Sequence, residues 1–283
     1  MSTADRTELV RLDIDPPVAL VTLDRADRLN ALTYPMIASF RRAIDTAVAD
    51  TRVVGIVVTG AGRAFSAGLD VADLARAAST GTSRGGRDAP DPVPDPDELP
   101  ALFSHLLRVP KPVIAAVNGV AAGGGFVLAM MCDLRMAAET GASFTTAFAK
   151  RGLVAEHGTS WILPRLVGTN RALDLLWSAR RIDATEAHRI GFVDRLVPDD
   201  RLLAEACDYV RDLAADVAPR SLAIMKEQVL RGWSQPIGEA LRQVEREMNA
   251  SLGHPDTTEG VVSFVEKRPP RFAPWIPDDR STT

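Results

Sequence analysis

Two apolar runs that each end in a glycine-rich turn constrain the fold of this chain more than any other feature. Residues 53–59 lead to the turn Phe-Ser-Ala-Gly-Leu-Asp at 65–70, and residues 112–117 lead to a triple glycine within 119–126. Both runs are typical of buried strands, and the second turn passes directly into an apolar helix. Glycine lets backbone approach a ligand, and a helix N-terminus carries unpaired N–H donors. The pattern predicts an oxyanion hole, a pair of backbone donors suited to negative charge on a carbonyl oxygen.

The order of predicted elements indicates an α/β protein with a helical C-terminal region. A hairpin over 9–23 and a helix from about Thr33 precede the first buried strand, and strands and helices then alternate in ββα-like units. We predict an α/β core over residues 1–197 and a helical oligomerisation region over 198–283. Residues 78–100, rich in Gly, Pro, Ser and Asp, predict a mobile loop, either a disordered insertion or an active-site lid.

Composition narrows the classes of partner. The chain has 283 residues and a net charge of −4 that is spread along the sequence, which argues against nucleic-acid or membrane-surface partners. Two cysteines and the lack of a signal peptide or apolar span lead us to expect reduced thiols and a cytoplasmic location. Since no zinc-ligand spacing, nucleophile elbow or dinucleotide fingerprint is present, we expect no metal and no separate cofactor.

Four motifs in a fixed order carry a family resemblance. They are residues 65–70, Pro-Lys-Pro-Val-Ile-Ala-Ala-Val-Asn-Gly at 110–119, the glycines at 123–125 and Met-Met-Cys-Asp at 130–133. This order resembles the crotonase superfamily, the enoyl-CoA hydratase/isomerase group, over nearly the whole chain. The resemblance implies the crotonase fold, with C-terminal helices that build homotrimers or dimers of trimers. It also implies an acyl-CoA thioester substrate, so that coenzyme A is part of the substrate.

The resemblance also implies roles for individual residues. It assigns the oxyanion hole to the backbone N–H groups of Ala67 and Gly124. It implies that the basic residues Arg25 and Lys267 contact the nucleotide end of coenzyme A. It also implies that the binding turn contacts the substrate through Ala64, Ala67, Leu69 and Asp70. For Asp70 we favour a structural role in holding the turn over a contact with the substrate, and for the two basic residues the alternative is a solvated surface charge.

The residues that would move protons depart from those of a typical hydratase. Val127 and Phe148 stand where typical hydratases carry two catalytic glutamates. Glu156 matches the position at which some isomerase-type and dehalogenase-type relatives place a single carboxylate, and His157 beside it is a candidate to orient that carboxylate or to act as a base. A single carboxylate facing an enolate favours isomerisation of an enoyl-CoA.

Other readings of the same residues stay open at this point. Glu156 is also compatible with a solvated loop acid and His157 with an incidental loop residue. Hydration by Glu156 alone, a non-catalytic acyl-CoA binder, and a hydrolase, decarboxylase or dehalogenase on the same scaffold are the alternative functions.

Overall fold

The computed structural model describes residues 9–80, 99 and 101–276, and these form two β-sheets surrounded by helices. The strands are β1 (Val10–Asp15), β2 (Val18–Leu23), β3 (Gly55–Gly60), β4 (Ala64–Ser66), β5 (Val113–Val117), β6 (Val120–Ala122), β7 (Leu134–Ala138), β8 (Ser143–Thr145), β9 (Ile182–Asp183) and β10 (Arg195–Val197). The helices are α1 (Tyr34–Ala49), α2 (Val71–Thr80), α3 (Gly124–Met131), α4 (Thr159–Val167), α5 (Thr169–Ser178), α6 (Ala184–Arg189), α7 (Leu202–Asp216), α8 (Pro219–Gly232), α9 (Ile237–Leu252) and α10 (Pro255–Glu266). Short 3₁₀ helices cover Ala26–Arg28, Ser104–Arg108 and Ala149–Arg151.

The predicted ββα repeat is present and explains the two sheets. In successive units the first strand enters a six-stranded sheet of order β1-β2-β3-β5-β7-β10, and the second strand enters a four-stranded sheet of order β4-β6-β8-β9. Pairing is parallel between β2 and β3, β3 and β5, and β5 and β7, and also between β4 and β6 and between β6 and β8. The corresponding turns of successive units therefore lie at the same edge of the small sheet.

The N-terminal predictions are confirmed. Strands β1 and β2 form an antiparallel hairpin from Val10 opposite Leu23 to Asp15 opposite Val18. Helix α1 begins after Thr33, whose hydroxyl oxygen accepts a hydrogen bond from Met36 N at 3.3 Å. A threonine cap followed by proline in the first turn is the local chemistry that favours a helix start there.

Helix α7 belongs to the core, although the predicted boundary after residue 197 places it in the C-terminal region. It packs on β2, β3, β5 and β7, and a Cβ on Gly55 in β3 would lie 2.9 Å from a methyl of Val210. Its buried residues are Leu202, Ala206 and Val210, whereas Leu203 is 41% exposed.

Helix α8 is tied to the core by one ion pair. Lys226 Nζ donates to Asp133 Oδ2 at 2.7 Å, and the same oxygen accepts from Val113 N at 2.7 Å. Burial raises the pKa of the Asp133 carboxyl, while Lys226 opposes that shift. The pair therefore joins α8 to the end of α3 and the start of β5.

The predicted loop at 78–100 lies largely outside the described residues. Helix α2 continues to Thr80, so the first three residues of the expected loop are helical. No helix within the described ranges is long and apolar enough to cross a lipid bilayer.

Candidate active site

The two glycine-rich turns meet because β4 and β6 are parallel neighbours. Ala64 pairs with Val120 and Ser66 with Ala121, so the chain leaves both strands at the same edge. A Cβ on Gly68 would lie 3.2 Å from Gly124 N, and a Cβ on Gly124 would lie 3.6 Å from Leu69 N. The two predicted donor turns therefore face each other at close range.

The donor on the first turn is displaced by two residues from the prediction. Ala67 N already donates to Leu29 O at 2.9 Å, so this N–H is not available to a substrate. Leu69 instead forms an isolated parallel bridge with Leu32, in which Leu32 N donates to Gly68 O and Asp70 N donates to Leu32 O, both at 2.8 Å. That pattern leaves the Leu69 N–H without an acceptor among the described residues, facing the side of Gly124.

The donor on the second turn is where the sequence predicts it. Gly124 is the first residue of α3, and its N–H likewise has no acceptor within the described part of the chain. Gly123 before it has φ +50°, a left-handed conformation that glycine adopts without strain. A Cβ on Gly125 would collide with the Ser66 carbonyl, so β4 approaches the helix start closely only because this residue is glycine.

A polar clamp holds the Leu69 segment in place. Arg25 Nη1 donates to Asp70 Oδ2 at 2.6 Å and to Ala31 O at 3.0 Å, while Asp70 Oδ1 accepts from Ala72 N at 3.0 Å. The guanidinium of Arg25 and then the Ala72 N–H lower the pKa of the Asp70 carboxyl. Asp70 thus holds the turn, as we favoured, and Arg25 is engaged with the turn rather than free at the surface.

Asn30 supports the other side of the same segment. Its Nδ2 donates to Ala61 O at 2.9 Å and to Ala64 O at 2.7 Å, and its Oδ1 accepts from Arg25 N at 2.9 Å. Ser66 Oγ donates to Asn30 O at 2.8 Å. Asn30 is fully buried, with φ +53°, and so joins the segment 25–32 to both ends of β4.

Of the expected substrate contacts, Ala64 is buried and Lys267 has no bond to this centre among the described residues. Ala64 is 1% exposed within β4, where its carbonyl is occupied by Asn30. Lys267 follows α10 with φ +54° and is exposed, and no hydrogen bond or ion pair given for the described residues joins its side chain to the site. The predicted contact of Lys267 with coenzyme A stays a prediction.

Glu156 and His157 form a pair at the start of α4. His157 Nε2 lies 3.4 Å from Glu156 Oε2, and His157 Nδ1 accepts from Leu102 N at 3.4 Å. Because Nδ1 accepts, a neutral His157 carries its proton on Nε2 and donates toward the carboxylate. Thr159 fixes the turn by donating its hydroxyl to Glu156 O at 2.6 Å.

The carboxylate of Glu156 acts electrostatically on Tyr34, the first residue of α1. Burial raises the pKa of Tyr34, and the carboxylates of Asp73 and then Glu156 raise it further. Tyr34 follows two residues after the Leu32 that bridges Leu69.

Comparison with known proteins agrees with this geometry. The family model described as enoyl-CoA hydratase/isomerase matches residues 13–274. The chain belongs to the enoyl-CoA hydratase/isomerase family. It is 34% identical to a probable enoyl-CoA hydratase of Mycobacterium bovis over 94% of this chain and 98% of that protein.

Solved structures extend the similarity to both activities of the family. An enoyl-CoA hydratase subunit of Geobacillus kaustophilus superposes with a TM-score of 0.81 at 33% identity, over 94% of this chain and 98% of that one. A monofunctional enoyl-CoA isomerase of Mycobacterium smegmatis superposes with a TM-score of 0.67 at 34% identity, over 84% of this chain and 99% of that one. The chain is thus an acyl-CoA enzyme of the hydratase/isomerase type with the crotonase fold.

The two positions that the resemblance equates with hydratase glutamates are apolar and buried. Val127 is 0% exposed in the first turns of α3, and Phe148 is 5% exposed before the 3₁₀ helix Ala149–Arg151. Asp70 is held by Arg25, and Asp73 Oδ1 lies 3.3 Å from Arg76 Nη1. Glu156 instead has the neighbouring His157 as its partner.

Sequence reasoning missed Leu69 as a donor and Asn30, Thr159 and Leu102 as supports. Leu69 N is left free because Leu32 bonds to Gly68 O and to Asp70 N, on either side of Leu69. That pairing is a long-range contact, which the motif itself does not contain.

The clamp between Arg25 and Asp70 predicts that Arg25→Gln lowers kcat and leaves KM nearly unchanged. Loss of the Arg25–Asp70 contact frees the Leu69 segment, so we expect kcat to fall roughly tenfold to a hundredfold, because small displacements of a reacting geometry cost about that much. KM for the acyl-CoA should change little. The matched control is Arg28→Gln, whose side chain is 70% exposed. If Arg25 instead contacts the nucleotide, KM rises at unchanged kcat.

The environment of His157 predicts an acid-shifted titration. Burial lowers the pKa of His157 below its usual 6.5, and Glu156 partly opposes this shift. The neutral, bonded form is thus present above pH 6.5, and its contribution to stability is lost as the pH falls through the lowered pKa. NMR of the imidazole Cε1–H should show this titration, shifted lower still in Glu156→Gln. Comparison with His157→Gln identifies the resonance among the four histidines, and a pKa at or above 6.5 would contradict the expectation.

Proposed function

We propose that this enzyme isomerises enoyl-CoA thioesters, with Glu156 as the single acid and base and with Leu69 N–H and Gly124 N–H as the oxyanion hole. The observation that carries the proposal is the pairing of Glu156 with His157 while Val127 and Phe148 leave no second carboxylate at the usual positions. One carboxylate can take a proton and return it, which is all that migration of a double bond requires.

The proposed reaction balances with these groups alone. The thioester oxygen of a 3-enoyl-CoA accepts hydrogen bonds from Leu69 N and Gly124 N, and the Glu156 carboxylate removes a proton from C2. The electron pair spreads into a dienolate whose oxygen carries the negative charge, which the two donors stabilise. Glu156 then returns its proton to C4 and gives the 2-enoyl-CoA. We propose that no metal or separate cofactor takes part.

His157 has a positioning role in this mechanism. Its Nε2–H points to the carboxylate, and its Nδ1 is held by the Leu102 N–H, so the ring fixes the direction of Glu156 without adding a positive charge near neutral pH. A neutral donor orients the carboxylate while leaving it basic.

Hydration is the second candidate, because relatives of this chain are named hydratases. Glu156 would then activate a water and also supply the proton, two tasks that paired carboxylates divide in typical hydratases of the family. The product distinguishes the two reactions, since hydration yields a 3-hydroxyacyl-CoA and isomerisation does not.

The deciding assay follows 3-enoyl- and 2-enoyl-CoA by NMR in D₂O. We expect migration of the double bond with uptake of deuterium, and no 3-hydroxy product. Glu156→Gln should lower turnover by about 10²–10⁴-fold, as for loss of a general acid–base group, while acyl-CoA affinity is kept. Glu239→Gln, an exposed carboxylate on α9, is the control. Full turnover by Glu156→Gln would refute the assigned base, and accumulation of 3-hydroxyacyl-CoA would establish the hydratase.

We also propose that the enzyme is a homo-oligomer, a trimer or a dimer of trimers. Helix α9 exposes a continuous apolar stripe at helical spacing, formed by Ile237, Leu241, Val244, Met248 and Leu252, which are 41–75% exposed. Helix α10 adds Phe264 at 85% and Val265 at 72% exposure. Exposed apolar surface of this extent marks an interface between proteins, and identical copies present matching stripes.

The oligomer is tested by Leu241→Glu on the stripe. A charge in a buried apolar interface is costly, so we expect a smaller particle by sedimentation than for the unmodified protein. Asn249→Glu places the same side chain on the same helix outside the stripe and should leave the mass unchanged. A monomeric unmodified protein, or an equal mass for Leu241→Glu, would contradict the proposal.

A further inference from the structure

A chamber of about 730 Å³ is lined by His157 and by none of the other residues that the mechanism uses. Its walls come from the 3₁₀ helix Ser104–Arg108 and the turn after it, from the end of α3, from the start of α4 and from one face of α8. A cavity of about 150 Å³ in a protein core holds a benzene molecule. The chamber is therefore large enough for a medium-chain or aryl group.

The surface of the chamber suits an apolar guest. Side chains on four separate elements provide apolar lining: Leu107, Val109, Met131, Ile162, Ala223 and Leu230. Burying methylene groups against such a surface is favourable by the hydrophobic effect.

Two of the cations that line the chamber have partners within the chain, whereas Arg108, which is exposed, forms no ion pair among the described residues. Lys226 Nζ donates to Asp133 Oδ2 at 2.7 Å and to Leu106 O at 3.0 Å. Arg231 lies 3.1 Å from Glu227 and 2.7 Å from Glu247. Because these charges are neutralised locally, they do not require a charged ligand.

Two features link the chamber to the proposed reaction site, His157 and helix α3. His157 lines it while its Nε2 faces Glu156, so the chamber begins beside the proposed base. Met131, also in its wall, ends the helix that Gly124 begins, and seven residues of helix span about 10 Å. Each carbon–carbon bond adds at most about 1.5 Å. A chain that reaches Met131 from the thioester thus needs roughly seven bonds, which a four-carbon acyl group does not have.

We propose that this chamber binds the distal part of the acyl group and makes the enzyme selective for apolar acyl chains of about eight carbons or more. The inference rests on the proposed acyl-CoA chemistry at Leu69, Gly124 and Glu156 and specifies its substrate class. The Glu156–His157 pair would then separate the reacting carbons from an apolar tail site.

An aromatic clamp closes one side of the chamber. Trp161 on α4 and Trp233 after α8 line it and pack edge to face, with ring centroids 5.2 Å apart. The guanidinium of Arg165 stacks 3.8 Å from the Trp161 ring, and its Nη1 donates to Trp161 O at 2.6 Å. These contacts hold α4 against the end of α8, so the chamber wall is built before a substrate arrives.

Calorimetry with butanoyl-CoA and decanoyl-CoA tests the proposal without turnover. We expect decanoyl-CoA to bind at least about tenfold more tightly, since every buried methylene adds to affinity. Ala223→Phe and Leu230→Trp, which fill the chamber from α8, should each lower the affinity ratio of decanoyl- over butanoyl-CoA by about tenfold. Each should lower the ratio of kcat/KM for 3-decenoyl- over 3-butenoyl-CoA by about the same factor. Ala215→Phe, the same change at an exposed alanine on α7, should alter neither ratio.

The outcomes separate this inference from the proposed reaction. Equal affinity for both ligands, or a preference that survives in both folded chamber variants, overturns the chamber assignment even if the double bond migrates. A chain-length preference erased by the variants supports the chamber even if no 3-enoyl-CoA is isomerised, in which case only the reaction is wrong. Failure to bind any acyl-CoA overturns the chamber assignment as well.

Discussion

The parallel pairing of β4 with β6 is the contact on which the site depends. Each of these short strands carries its chain to the same edge of the small sheet, where one turn presents Leu69 N–H and the other presents Gly124 N–H. Each turn by itself supplies one N–H donor, so a ligand oxygen is bound from two sides only where both turns meet. The approach is close because Gly125 has no side chain to meet the Ser66 carbonyl, and backbone donors held this way need little reorganisation when charge develops.

Charged side chains around this edge serve mainly to hold backbone in place. Arg25 and Asp70 clamp the Leu69 segment, and Lys226 and Asp133 tie α8 to the core beside the chamber. Partly buried ions need close partners, and these partners are found within the chain. Against this background Glu156 differs, because its neighbour is a histidine whose pKa is lowered by burial and which stays neutral near pH 7. The contrast separates the groups that build the site from the group suited to moving protons.

The proposed reaction depends on which positions near the two backbone donors carry acids. Val127 and Phe148 are buried apolar side chains, and Glu156 lies in the loop before α4. The chamber beyond His157 extends that apolar character away from the thioester. The reaction type and the acyl preference proposed here therefore share a physical origin, a single carboxylate paired with His157 beside a chamber with extensive apolar lining.

Local chemistry made much of the fold predictable. The Thr33 cap with Pro35, the buried runs that became β3 and β5, and the helix at Gly124 all follow from short-range pattern and from motifs that resemble the family. Leu69 as the free donor, the engagement of Arg25 by Asp70, the packing of α7 on the sheet and the chamber between α4 and α8 do not. Each of these depends on partners distant in sequence, such as Leu29 for Ala67 N and Asp133 for Lys226. The sequence by itself determined which groups are available, whereas the tertiary structure decided which N–H groups and charges are already occupied, because a hydrogen-bond donor serves a substrate only if no part of the chain reaches it first.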